Sequence, residues 1–350
     1  MRKYLKTVVA AGAVAASING VASAQDQSFQ NIETVKVEDF IGTVSIKVSK
    51  NRNAVSSSAQ SGADASYPYY IEQDNGVLTI RSDADPDDTR WWKEVNWRRD
   101  KDRAFAVFLE DYPSVELTVP AGVDLEFDSA VMLLEAGDTN GAVEMRDGHV
   151  DGVIGDIRFG EIKIDGSGDL TVGDVSEALA ISIHGSGDFL AGNASLLDAD
   201  IHGSGDIKVS NIRGDASVRV HGSGDVKMDN VDGDVDVSVH GSGDISAGRV
   251  SGGAALSTHG SGDIRLASVS GATNVSINGS GDTSILDGRA EDLRVRVSGS
   301  GDFEMDGVAT NPNVSANGSG DIRIRRHEGS VRSSGRGDII ISGVNYTDRD

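Results

Sequence analysis

The chain has 350 residues, a formal net charge of −23 and no cysteine. An acid excess of that size argues against nucleic acid and anionic lipid as partners, and the lack of thiols excludes a disulfide framework and a lipidated N-terminal cysteine. With 44 glycines, aromatic residues at 5% and no long helical period, the composition predicts an all-β chain.

Residues 1–24 read as an export signal: Arg2, Lys3 and Lys6 form a basic start, Thr7 to Ile18 an apolar run, and Ala22-Ser23-Ala24 a small-residue cleavage site. The run is too short to span a bilayer and no other stretch is a candidate, so the mature chain is expected to have no membrane span. Removing the signal takes away three positive charges and leaves a net charge of −26. The expected location is the periplasm, the outer cell surface or the medium.

Residues 25–144 carry only a blurred repeat and read as an irregular β region that caps the regular part. Thr34 to Val48, Tyr69 to Arg81 with a turn at Asn75-Gly76, Ala104 to Leu109, and Val115 to Phe127 read as strands. Between them, Arg90 to Arg99 holds all three tryptophans beside positive charge. Trp91, Trp92, Trp97, Arg98 and Arg99 are the candidate ligand contacts, suited to stacking on sugar faces. The competing reading packs these rings down as part of the cap.

From 145 to 344 the chain repeats. Gly-Ser-Gly-Asp recurs from Gly166, Gly185, Gly203, Gly222, Gly241, Gly260, Gly279, Gly299 and Gly318, with a worn copy at Gly335-Arg336-Gly337-Asp338, in steps of 17 to 20 residues. Apolar residues alternate on both sides, as in Val218, Val220, Val226 and Met228, which marks half-buried strands. An apolar column nine positions after the first glycine, including Val175, Val231 and Val269, predicts a further short strand. Such units fit coils of a parallel β-solenoid; a propeller blade needs about twice the length. The corner glycines (Gly185, Gly187, Gly203, Gly205, Gly222, Gly224, Gly241, Gly243, Gly260 and Gly262) fall on the inward parity, where a bend leaves no room for a β-carbon or demands positive φ. Asp138 and Asp156 are read as early members of the aspartate column, in ambiguous register. The last strand, Ile339 to Ser342, is either open to end-to-end contact or covered by the tail, 345–350.

The outward parity carries polar files. One runs Asp165, His184, His202, His221, His240, His259, Asn278, Ser298, Asn317, Ser334; the next is serine; the third is aspartate. Aspartates one coil apart stand about 4.8 Å from each other, where exposed carboxylates repel by roughly 0.9 kcal/mol in bulk water. Relief comes from nearby backbone N–H groups in an Asx-type turn, or from Ca²⁺ on Asp188, Asp206, Asp225, Asp244, Asp263 and Asp282. The calcium-binding nonapeptide pattern has a different period and aspartate position, which favours the first. The histidine file reads as a stacked polar ladder that resists protonation, since a linear file does not supply the four ligands of a zinc site.

No nucleophile and base pair up, and the acids are spread evenly, so no enzyme is expected; a carbohydrate-active β-helix enzyme is the remote alternative. The tripeptide Arg336-Gly337-Asp338 arises from a single Ser-to-Arg change in the repeat. The Gly-Ser-Gly-Asp ladder, the 19-residue period and the export signal, with Phe29 to Ile32, Val35 to Val37 and Gly76 to Ile80, resemble the putative auto-transporter adhesin, head GIN domain family. The resemblance implies an exported, single-chain β-solenoid acting as an adhesin-like binding or structural module, with no catalytic residues and no required cofactor, Ca²⁺ being the alternative. Envelope or extracellular polysaccharide or a surface protein is the expected partner. A self-exporting chain would also need a C-terminal membrane barrel, which the stretch after the last coil does not resemble.

Overall fold

A chain that alternates apolar and polar residues on a 19-residue period can bury its apolar parity only by stacking period on period, and the computed structural model shows that outcome. It describes residues 27–49, 54–64, 67–83, 86, 95 and 101–347, without the side chains of 101–103. Strand accounts for 62% and helix for 2%, in a β-solenoid of about 11 turns. The chain divides into two compact units after Leu133.

In the first unit, Thr34–Ser49 runs parallel to Val77–Ser82 at its start and to Ser114–Pro120 at its end. Asp39 and Gly42, with φ of 47° and 156°, bend it between the two pairings. Tyr69–Asp74 and Val77–Ser82 form the predicted hairpin, with Asn75 and Gly76 at φ of 46° and 84° in its turn. The expected strand at Ala104 to Leu109 is instead the C-terminal part of a helix, α1 (Lys101–Leu109). Phe105 and Leu109, four apart, point inward and join Ile41, Val95 and Tyr112 in one apolar cluster, with Phe108 packed against it. Spacing of i, i+3 and i+4 is helical, and a six-residue window cannot separate it from alternation.

In the second unit, Leu134–Asp350, each coil has three sides. A strand follows every tetrapeptide, as in Val226–Met228, and pairs in parallel with its counterparts Ile207–Val209 and Ile245–Val250. A longer strand precedes it, as in Ala216–Val220, paired with Ala194–Ile201 and Val235–Val239. The third side is the column at position nine, reduced mostly to single bridges such as Ile212 to Val231 and Val231 to Val250. The core is therefore files of Val, Ile, Leu and Ala, with Phe189 and Phe303 as its largest members.

Uneven steps are absorbed in bulges. The 18-residue step from Gly185 to Gly203 shifts register between Val175 and Ala178, and the 20-residue step from Gly279 to Gly299 shifts it beyond Ala272, where Asp292 adopts a φ of 47°. The worn last copy keeps the expected register at Asp338, whose N–H donates to Asp321 Oδ1 at 3.2 Å, but not in its first half. Gly335 pairs with Ala316 and Ser334 with Ser315, so the final corner is two residues shorter and Ser334 leaves the histidine file. The tail turns back through Ser342 and Gly343, at φ of 51° and 79°, and Val344–Asn345 pairs antiparallel with Ile339–Ile341, covering that strand's edge.

The corner glycines answer to proximity rather than to φ: of the ten named above, none has positive φ. A β-carbon on Gly222 would overlap the carbonyl oxygen of Gly203 below it, and the same holds for Gly241 over Gly222 and Gly260 over Gly241. Gly222→Ala must therefore force two coils apart, and urea unfolding should show a loss of about 2–3 kcal/mol. Ser223→Ala, at the adjacent exposed position, should stay within about 0.5 kcal/mol. A Gly222→Ala chain as stable as the parent would remove close coil contact as the reason for the glycine.

Candidate functional site

The second unit's surface is a set of parallel ladders whose positions follow from the corner. At the corner, the N–H of the residue before the first glycine donates to the coil below, as His221 does to Ile201 O at 2.7 Å, and the serine N–H likewise, Ser223 to Gly203 O at 2.9 Å. The aspartate N–H finds a side-chain oxygen instead: Asp225 N donates to Asp206 Oδ1 at 2.8 Å, Asp244 N to Asp225 Oδ1 at 2.7 Å and Asp263 N to Asp244 Oδ1 at 2.8 Å. The aspartate carbonyl then accepts from the coil below, as Asp225 O does from Ile207 N at 2.9 Å. The relief expected for the carboxylates thus comes from the next coil's backbone, not from a turn within their own.

This chain of bonds settles the register at its start. Asp169 N donates to Asp151 Oδ1 at 2.8 Å, so the first member of the file is Asp151, in the degenerate corner Gly148-His149-Val150-Asp151. Asp138 and Asp156 belong to a second ladder: Asp156 N donates to Asp138 Oδ1, Asp174 N to Asp156 Oδ1, Asn193 N to Asp174 Oδ1 and Asn211 N to Asn193 Oδ1. The sequence reading missed it because its column, eight positions after the first glycine, mixes Asp with Asn. The bonds to Asn193 hold the Asp174 carboxyl below the usual range.

Asp188, Asp206, Asp225, Asp244, Asp263 and Asp282 line two grooves of about 500 Å³ each, one with Leu190, Lys208 and Lys227, the other with Arg265 and Arg323. Each of the six accepts at Oδ1 from the aspartate N–H of the next coil, and their Oδ2 atoms form no hydrogen bond with the described residues. A third groove, of about 940 Å³, crosses the longer strands over Leu197, Ala216, Val235 and Ala254, with Asp198 and Asp236 on its lining. Trp91, Trp92, Trp97, Arg98 and Arg99 lie outside the described residues, as do residues 1–24.

His184, His202, His221, His240 and His259 stack face to face, with centroids 4.7–5.0 Å apart and planes within 8° of parallel. Desolvation, then the charges of His221 and His259, lower the pKa of His240. Asp200, which the sequence reading did not single out, stands beside this stack, its Oδ1 3.1 Å from His202 Nδ1.

Two measurements test these assignments. Asp225→Ala leaves the Asp244 N–H without its acceptor and should cost about 1–3 kcal/mol in urea unfolding, while Asp225→Asn keeps an Oδ1 and should lose less. Equal losses would assign the role to charge. His149, buried in the degenerate corner, is pushed down to about 4 by burial. The fold favours its neutral form, so its contribution is complete above the unfolded value of about 6.5 and is lost as pH falls toward about 4, a change of roughly 3 kcal/mol. His149→Ser should flatten that window; an unaltered pH profile would exclude His149 as its source.

No curated protein matches the chain. Among the described residues no helix is long and apolar enough to cross a membrane. The family model described as "Putative auto-transporter adhesin, head GIN domain" matches residues 43–248 and 246–344. With most of its length so covered, from the first unit through the last coil, the chain belongs to the head GIN domain family so described.

Proposed function

We propose that the chain is an exported, non-catalytic binding module that meets an extended partner along its ladders. The observation that carries this reading is the repetition itself: the same corner carboxylate recurs once per coil and lines two long open grooves. A surface of that kind offers many weak, equivalent contacts to a partner that is also repetitive, and envelope or extracellular polysaccharide has that property. The adhesin-like family and the basic, apolar start of the chain support export. The even distribution of acids, each in the same hydrogen bond, supports a role without catalysis, since an active site needs acid and base set apart by environment. Ca²⁺ takes six to eight oxygens, while each corner leaves one carboxylate oxygen outside the backbone bonds, so calcium is not part of the proposal.

The test is binding of chain 25–350 to oligosaccharides of increasing length from bacterial envelope polysaccharides. Affinity should climb with length until the oligosaccharide outruns the ladder, with no reducing sugar released. Length-independent binding lost in a Trp91→Ala, Trp92→Ala, Trp97→Ala chain would place the contact on the tryptophan segment and overturn the ladder reading. Steady release of sugar would favour an enzyme.

A further inference from the structure

On the longer strands, the outward position three before each corner is serine at Ser182, Ser238, Ser257, Ser276 and Ser315. Beside the histidine stack these hydroxyls meet imidazole nitrogen: Ser238 Oγ lies 3.4 Å from His240 Nδ1 and Ser257 Oγ 3.3 Å from His259 Nδ1. Lys163, Arg219 and Arg296 also occupy this column, and Asp200 is its one anionic member. It stands between Ser182 and Arg219, whose guanidinium reaches Asp198 Oδ1 at 3.1 Å, and its own Oδ1 lies 3.1 Å from His202 Nδ1 in its own coil and 3.6 Å from His221 Nδ1 in the next. That oxygen is shielded from solvent and makes no hydrogen bond, and the three donor atoms lie within 4.8 Å of one another. Nothing in the corner requires this carboxylate, because the bonds between coils run through Asp206 and Asp225.

We propose that Asp200, His202 and His221 form a divalent transition-metal site. Donors about 2.0–2.2 Å from a tetrahedral ion stand roughly 3.3–3.5 Å from each other, and the two edges that meet at Asp200 Oδ1 bracket that length. Two imidazoles and one carboxylate suit Zn²⁺, Ni²⁺ or Cu²⁺, with water in the fourth position, and do not suit Ca²⁺. The third edge needs movement. The rings of His202 and His221 are parallel to within 6° with centroids 4.7 Å apart, so their lone pairs run side by side instead of converging. Binding therefore turns one imidazole out of the stack, which solvent-facing side chains at 43% and 39% exposure permit. The neighbouring coil makes a comparison: His184 Nδ1 lies 3.3 Å from Asp165 Oδ1, a pair without the second ring.

The test is calorimetric titration of untagged chain 25–350 with Zn²⁺ alone, together with thermal unfolding and imidazole NMR signals. The expected result is one equivalent per chain and a midpoint that rises with Zn²⁺. Asp200→Asn and His221→Gln should each weaken binding more than about tenfold, the loss known for far less direct changes at metal sites. Both should melt as the parent does without metal, so that lost binding is separated from lost folding. His259→Gln should bind as the parent does, and Zn²⁺ should shift the His202 and His221 signals and spare those of His259. Unchanged affinity in Asp200→Asn, a stoichiometry that falls in His259→Gln, or no binding in the parent would each overturn the site.

Discussion

The second unit depends on the approach of one corner to the corner beneath it. In a parallel stack every outward-turning N–H must find an acceptor on the neighbouring coil, because an unsatisfied buried peptide group costs as much as several ordinary contacts contribute. Where the chain bends after the second glycine, the aspartate N–H meets the carboxylate of the coil below instead of a carbonyl, at 2.7–2.9 Å from Asp188 through Asp321. That reach is possible only because the glycines let the two backbones close to a distance at which any β-carbon would overlap the carbonyl below. Glycine and aspartate are two parts of one constraint: the first permits the approach, the second completes its hydrogen bonding.

The same constraint generates the surface. Once corners are held in register, every outward column becomes a ladder at the coil spacing, whatever its chemistry. Imidazoles at that spacing stack, which is why His184 to His259 lie parallel without any further device. Carboxylates at that spacing would repel, yet each has an N–H directed at its Oδ1, so the file carries its charge with local compensation.

Alternation and period made the coils legible, because both are properties of single columns that sequence displays directly. What sequence did not display was register where columns change chemistry. Asp138 and Asp156 look like members of the corner file until Asp151 is seen accepting from Asp169, and Gly335 looks like a corner glycine until it pairs with Ala316. In the first case glycine and aspartate occur in the right order but at another point of the coil; in the second only the first glycine is displaced, since Asp338 N still donates to Asp321 Oδ1. The helix Lys101–Leu109 was missed for a different reason: Phe105, Phe108 and Leu109 are apolar at helical spacing, and the segment is too short for period two to be refused. Asp200 was overlooked because the serines of its column were not read as a column at all.

Asp200 and Asp206 show how a repeat can separate structure from function without any second sequence. Asp206 Oδ1 accepts from the Asp225 N–H of the next coil, so removing the side chain leaves a backbone donor without its acceptor, and its presence says nothing about a ligand. Asp200 lies on the outward parity, where serine, lysine or arginine satisfies the same strand in other coils, and its shielded Oδ1 is left without a hydrogen bond beside two imidazoles. A carboxylate oxygen without a hydrogen bond costs desolvation where it stands, and a bound cation is one way to offset that cost. In a stack whose residues are mostly dictated by their neighbours, a position that breaks a column without serving the stack is where the search for a ligand begins.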